Sequence, residues 1–453
     1  LSLDLHLDLE RDTAGASGLR STVEDALREA IRSGRLARGS RLPPTRGLAR
    51  DLGVSRGTVF DAYAQLAAEG WILSAQGSGT FVAAEPAAAP APAAERARDP
   101  HPLYDMSSVT PDLGSFPRAE WIRALRRAVS TAPHSSFGYT DPGGIDELRV
   151  EIAGYLCRFR GLQVTADNIV MTTGYTQSLN LVVRTIDAGR VAMEDPSHKG
   201  HHAIVRGAGH RIVPMRVDDE GADVAAVQDA DLAVLTPNRH HLLGVTLSAA
   251  RRADLLDWAR RTDSFVVEND YDGEFRYDSR PLSALQSLEP TRVVYAGTTS
   301  KSLAPGLRIG WLAAPEPLVG PLSDLKLRLD TQNPVLEQLA FAEFLRTGGY
   351  DRHIRRQRLR YRQRRDRLLA ALPPGLRVSG QSAGLSLTIH LPDVETERRV
   401  VARAAGLGLA LQGLASDDCY LGDPQPGLVV GYAAPPDHSF DATVATLVRA
   451  LRD

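Results

Sequence analysis

Lysine is almost missing. Of 53 Lys and Arg residues in the 453-residue chain, only Lys199, Lys301 and Lys326 are lysines. Chemistry that needs a lysine amine therefore has few candidates. Cysteine is as scarce. Cys157 and Cys419 are too few to staple a secreted domain, which fits a reducing cytoplasm. No apolar run reaches the roughly 18 residues of a membrane span. Asp4, Asp8, Glu10 and Asp12 do not read as a secretory leader. Charge of one sign is lacking too: the formal net charge is -2, so no global basic field announces nucleic acid.

What is present is ordinary for a globular protein, with 43% hydrophobic and 24% charged residues. That excludes disorder, collagen and a disulfide scaffold. At roughly 100–200 residues per domain the length allows two to four domains. From Ala83 to Pro100, nine of 18 residues are Ala and four are Pro, which reads as a linker. The expected division is a module over 1–82, a linker over 83–102 and a large domain over 103–453.

Within the module, Val23, Ala26, Leu27, Ala30 and Ile31 have the 3-4 spacing of a helix with one buried face. Pro43-Pro44 breaks the chain, Thr45 is placed to cap a short helix, and Gly53 ends it. Ser55 is placed to cap the next helix, whose Val59, Tyr63 and Leu66 form a core stripe. Trp71-Ile72-Leu73 and Thr80-Phe81-Val82 read as strands around a turn at Gln76-Gly77-Ser78-Gly79. Two short helices joined at a glycine, then a hairpin, describe a winged helix-turn-helix. Ser55, Arg56 and Thr58 fall off the core stripe and are free to meet a groove. Between Arg28 and Arg56, eight arginines face Glu29 and Asp51, a local charge of +6. A small helical domain with a solvated basic face is the alternative that spacing leaves open.

Leu42-Pro43-Pro44-Thr45-Arg46, Leu52-Gly53-Val54-Ser55-Arg56-Gly57-Thr58-Val59, Glu69-Gly70-Trp71 and Gly77 through Val82 resemble the DNA-binding module of the GntR family. The resemblance implies that Arg46, Ser55, Arg56 and Thr58 meet double-stranded operator DNA. It further implies that the wing at Gln76 and Ser78 touches the backbone or minor groove.

Past the linker, helix and strand signals alternate. Asn168–Thr173, Arg190–Met193, Leu232–Leu235, Phe265–Val267 and Val293–Tyr295 are short β-rich runs followed by turns and helices. This pattern predicts an α/β domain with a mostly parallel sheet covered on both faces. Ligands of such sheets bind beyond the strand C-termini. There stand Thr172 through Thr176, Glu194-Asp195-Pro196, Asn269-Asp270-Tyr271, and Gly297-Thr298-Thr299-Ser300-Lys301. A lysine at a strand end can take up an aldehyde cofactor, and helix-opening amides can hold a phosphate. A surface lysine is the alternative.

Phe137-Gly138-Tyr139, Asp141-Pro142-Gly143-Gly144, Thr173-Gly174, Glu194-Asp195-Pro196, Thr236-Pro237, Tyr271 through Asp278, Gly297 through Lys301 and Pro305 through Gly310 are similar to fold-type I aminotransferases. Behind a GntR-like module they most resemble the MocR/GabR-type regulators. The resemblance implies pyridoxal 5'-phosphate (PLP) joined to Lys301. Its phosphate would be held by Arg308, Thr298, Ser300 and the Gly174-Tyr175-Thr176 turn, and its ring oxygen by Tyr271. Tyr139 would reach the phosphate of a second copy in a homodimer.

Several positions depart from the family pattern. Asn269 stands where an aspartate usually holds the proton on the pyridine nitrogen, and a neutral amide cannot favour that charge as a carboxylate does. A register slip that puts Glu268 or Asp270 at the ring nitrogen is the alternative. His198 stands where a tyrosine usually stacks on the ring. The strand Leu428 through Tyr432 holds no arginine for a substrate carboxylate. His198, His201, His202, His240 and His241 border the family's cofactor pocket; stacking and hydrogen bonding to cofactor or effector are expected there rather than a metal, and plain loop histidines are the alternative. The arginine-rich segment 352–367 reads as a solvated face, with a second DNA surface as the alternative. These features predict a cytoplasmic regulator that senses a small amine, an amino acid or PLP itself rather than turning one over. An active aminotransferase with an attached DNA-binding domain is the rival, and a repressor whose pocket has lost PLP is a third reading.

Overall fold

The computed structural model describes residues 18–75, 78–83, 102–107, 110–277, 282–380, 383–416 and 419–452. Gln76, Gly77, Asp278 and most of the Ala/Pro stretch lie outside the described residues. The chain divides into two compact units, Leu1–Pro100 and His101–Asp453.

In the first unit, helices α1 (Gly18–Arg32), α2 (Thr45–Leu52) and α3 (Arg56–Ala68) pack around Val23, Leu27, Ile31, Leu48, Val59 and Leu66. Strands β1 (Arg41–Leu42), β2 (Ile72–Ala75) and β3 (Gly79–Val82) form an antiparallel sheet in the order β1-β3-β2. Gly53 closes α2 at φ 65°, the left-handed conformation that glycine adopts without strain. Ser55 caps α3, its hydroxyl accepting from the Thr58 amide at 3.1 Å. Thr45 does not cap α2. Pro44 holds the cap position, and Thr45 is already the first helical residue. Proline has no amide hydrogen to satisfy, so the helix starts directly behind the Pro pair.

The second unit is built on an eight-stranded sheet. Its central strands Val293–Thr298, Phe265–Asn269, Leu232–Leu235, Arg190–Asp195 and Arg211–Asp218 are parallel neighbours in that order. Gly310–Ala313 is antiparallel and joins Val293–Thr298 to Ile169–Thr172. Both faces are covered, as near-continuous apolar strands require. Val191, Val234, Val267 and Val294 pack on Leu179, Val182 and Val183 of the helix Tyr175–Thr185. Ala192, Leu235, Val266 and Val293 pack on Leu255, Leu256 and Trp258 of the helix Ala249–Thr262.

A smaller antiparallel sheet carries Val378–Ser379, Ser386–His390, Gly427–Gly431 and Gln412–Gly413. The arginine-rich helix Gly349–Ala371 is not merely a solvated face. Arg364 is 2% exposed and bonds to Ala433, Asp112 and Asp437. Arg358 donates to the Glu274 carbonyl at 2.8 Å. These arginines fasten the helix to its own domain.

Candidate functional site

The strand Phe265–Asn269 runs parallel to Val293–Thr298, with Asn269 beside Ala296. Their C-terminal ends therefore deliver Asn269, Tyr271 and Lys301 to one edge of the sheet, as the parallel topology requires. Successive side chains in a strand point to opposite faces. Glu268 and Asp270 share one face, where the Asn238 amide donates to both, at 3.2 and 3.3 Å. Asn269 takes the other. Its Oδ1 is buried and has no hydrogen-bond partner within the chain. In this register both acids are engaged within the chain, and Asn269 Oδ1 is the group left without a partner. Asp270 also accepts from the Tyr295 hydroxyl at 2.7 Å, and Glu268 from the Gln286 amide at 3.1 Å.

Lys301 lines a cavity of about 470 Å³ together with His198, Lys199, His241, Gln412 and Cys419. Burial lowers the pKa of its ammonium, while Asp272 pulls the other way. A desolvated lysine holds a larger fraction of neutral, nucleophilic amine. His241 Nε2 is buried with no partner. His198 spends Nδ1 on the Gly200 amide at 3.1 Å, capping the helix Lys199–Gly207.

A second hollow beside Gly174 is lined by Thr173, Thr176, Gln177 and Arg308. Gly174 opens the helix Tyr175–Thr185 at φ 115°, and a Cβ there would meet the Arg308 guanidinium at 3.2 Å. A Cβ on Gly310 would strike Gly174 Cα at 2.7 Å. Two glycines thus let a guanidinium and helix-start amides share one spot, the arrangement that holds an anion. The Thr298 and Ser300 hydroxyls lie 2.9 Å apart nearby in sequence. Tyr175 turns its ring edge toward His201, centroids 4.9 Å apart. Tyr139 is 92% exposed.

The Tyr271 hydroxyl lies 2.7 Å from Arg239 Nη1, which also meets Asp272 at 3.2 Å. Arg239 Nε donates to the Ala383 carbonyl and Nη2 to the Ser386 carbonyl, at 3.0 and 2.6 Å. One buried guanidinium thus ties the Tyr271 loop to the strand Ser386–His390 of the smaller sheet. Sequence reasoning missed Arg239. Its signal was an arginine directly past the strand Leu232–Leu235, in a loop that otherwise offers neutral imidazoles.

Glu194, His240 and His241 bring one ligand atom each within 4.8 Å of one another. Two of the three are already engaged within the chain, while His241 Nε2 is not. His240 Nδ1 accepts from the Leu243 amide and Nε2 donates to the Pro196 carbonyl. The Thr236 amide and hydroxyl both donate to Glu194 Oε2. Burial pushes Glu194 up to about 7 and holds His240 down to about 3.

On the winged helix, Arg46, Ser55, Arg56 and Ser78 are exposed and Thr58 is half-buried. Ser55 and Thr58 hydroxyls pair at 2.8 Å, so this pair first serves the helix start. Arg28 leaves the basic set. Its guanidinium bonds Glu69 at 2.7 and 2.9 Å and Asp25 at 2.7 Å. The acids that neutralise it lie outside the stretch in which +6 was counted, where sequence proximity hides them.

Residues 105–408 match the family "Aminotransferase class I and II", and residues 19–82 match "Bacterial regulatory proteins, gntR family". The chain is 32% identical over 397 residues to the uncharacterized HTH-type transcriptional regulator YdeL of Bacillus subtilis, covering 84% of this chain and 86% of that one. It is 33% identical over 356 residues to the pyridoxine biosynthesis regulator PdxR of Corynebacterium glutamicum, covering 77% and 78%. It is 31% identical over 444 residues to the probable rhizopine catabolism regulatory protein MocR of Rhizobium meliloti, covering 90% and 89%. In fold it is similar to a kynurenine aminotransferase of Pyrococcus horikoshii, with TM-score 0.70 and 23% identity over 77% of this chain and 90% of that one.

Proposed function

The chain belongs to the aminotransferase class I and II family and, with its gntR-family module, to the MocR-type transcriptional regulators, and on that premise we propose that it senses a small amine, an amino acid or PLP through a PLP-loaded site and passes the signal to operator DNA. Lys301 would join the cofactor. Gly174, Tyr175, Thr176, Thr298, Ser300 and Arg308 would hold its phosphate, Tyr271 its ring oxygen and His198 its ring face. His241 Nε2 and Asn269 Oδ1, both buried and unpartnered, fit a polar group filling the site. PLP supplies an electrophilic carbonyl and an electron-accepting ring.

The observation that carries the sensor reading is Asn269. Its amide can hydrogen-bond the ring nitrogen but brings no charge to hold a proton there. The carboxylates on either side are turned away. A ligand that moves Tyr271 pulls Arg239, and Arg239 pulls the strand Ser386–His390. A residue movement of this kind has a two-part lever to act on, and the linker over 83–102 would carry it to the winged helix. Exposed Phe137, Tyr139, Leu327 and Leu329 support pairing with a second copy. Operator binding places the protein with the chromosome, in the cytoplasm.

The rival reading, an active aminotransferase, draws on the retained Lys301 and Arg308. The experiment mixes PLP-loaded protein with amines and amino acids, with and without a keto-acid acceptor, and follows absorbance, product and operator affinity together. The sensor reading expects spectral shifts and altered operator binding with little repeated conversion. Sustained conversion at about 1 per second or faster would establish the enzyme instead.

A further inference from the structure

Helix α3 buries Val59, Ala62, Tyr63 and Leu66 and presents Arg56, Gly57, Phe60, Asp61 and Ala64 to solvent. Phe60 is 60% exposed, although its helix has a complete core without it. It follows Arg56 by four residues, so the two side chains stand one above the other on a single helix face. Gly57 and Ala64, three residues before and four after, leave the flanks of Phe60 low. A Cβ on Gly57 would meet only the Ser55 hydroxyl, at 3.6 Å. The exposed side thus has one cation at the helix start, one bulky ring a turn behind it, and one acid, Asp61, next to the ring.

Resting on the operator-binding reading above, we propose that Phe60 reads thymine in the major groove of the operator. The chemistry leaves one base. A phenyl ring neither donates nor accepts a strong hydrogen bond, so it cannot read the polar edges of guanine, adenine or cytosine. The apolar group that the major groove offers is the C5-methyl of thymine. Arg56, and Arg46 at the start of α2, supply the charge that brings a phosphate backbone to this face. Arg56 fixes the helix on the duplex, and Phe60 selects the base one helical turn along.

The test uses the full chain. Binding sites are selected from random duplex DNA by the wild-type protein and by Phe60→Ala and Phe60→Leu. Each thymine of the selected site is then replaced by deoxyuridine, which removes only the methyl. Wild type should enrich a thymine in each half-site and lose about threefold to fivefold in affinity when that one methyl is removed, the scale of one buried methyl group. Phe60→Ala should lose both the thymine preference and the uridine sensitivity while keeping its salt dependence, and Phe60→Leu should retain part of each. Wild-type binding that ignores every methyl, or a Phe60→Ala protein with the same thymine preference, overturns the assignment. So does a Phe60→Ala protein with unchanged site preference but altered oligomeric state, which would make the ring a protein contact. If wild type enriches no duplex at all, the operator reading fails and takes this one with it, an outcome distinct from selection without methyl dependence.

Discussion

The carboxylate of Asp270 meets the guanidinium of Arg160 at 2.6 Å, with both side chains 2% exposed. Tyr295 adds a hydroxyl to the same carboxylate at 2.7 Å. An ion pair so enclosed is costly to break from one side, by about 3–5 kcal/mol. Asp270 is therefore committed to the back of the strand, and the position facing forward belongs to its neutral neighbour, Asn269.

Asn269→Asp restores an acid at the forward position. A carboxylate there should favour a proton on the ring nitrogen and raise any residual transamination by at least about tenfold, equivalent to about 1.4 kcal/mol of barrier. Single-turnover absorbance with an amino acid donor measures it. An unchanged rate would mean that Asn269 does not face the ring nitrogen.

Reduction with borohydride should fix the cofactor to Lys301. PLP-loaded protein should show a visible absorption band that borohydride bleaches, and Lys301→Ala should show none. Lys326 is held by Asp330 at 2.7 Å, outside the cavity. Lys199 lines the same cavity as Lys301 and is the informative competitor. Peptide mass spectrometry distinguishes the two, and label on Lys199 would overturn the cofactor assignment.

Two arginines of the winged helix should behave in opposite ways. Arg56→Ala should weaken operator binding by about 1–3 kcal/mol if it reads a base, or lower the salt slope by about one if it meets a phosphate. Arg28→Ala should leave the salt slope unchanged, since its charge is already taken up by Glu69 and Asp25, and should instead lower the melting temperature of the module. Fluorescence anisotropy across a salt series checks both. Equal salt slopes for wild type and Arg56→Ala, together with unchanged affinity, would remove Arg56 from the interface.

The strands were legible because a covered parallel sheet writes itself as apolar runs. Leu232–Leu235 has the bounds read from sequence. The Ser55 cap was legible because capping is local. Thr45 misled because a preceding proline can hold the cap position without a side-chain bond. Arg239 and the engaged state of Asp270 were not legible, since their partners lie far off in sequence. Arg239 bonds Ser386 and Asp270 bonds Arg160, contacts that only the tertiary fold creates. The Asn269 substitution could be seen in sequence, but that the acids beside it were unavailable could not.

Glu268 offers a pH-dependent check of that buried wall. It is fully enclosed, and desolvation pushes its carboxyl up from 4.5 to about 7, with the nearby Asp270 charge acting in the same direction. Arg160 and the backbone amides around Gln286 oppose the rise. The folded state therefore holds a proton that the unfolded chain gives up in this range. The stabilisation this confers is fully present below about 4.5 and is lost as pH rises through about 7. Glu268→Gln removes the titration and keeps one oxygen, for either Asn238 or Gln286; the other bond is lost at every pH and shifts the whole profile by a constant. Relative to wild type, the mutant should gain stability steadily between about pH 5 and 8, reaching roughly 1–3 kcal/mol. Other raised carboxyls, such as Glu194 and Glu274, titrate alike in both proteins and cancel in the difference. The measurement is the thermal unfolding midpoint of each protein across pH at fixed cofactor concentration, since bound ligand shifts the midpoint by itself. Parallel pH profiles would show that Glu268 stays ionised throughout. Arg160 would then be balancing two carboxylates rather than holding Asp270 alone.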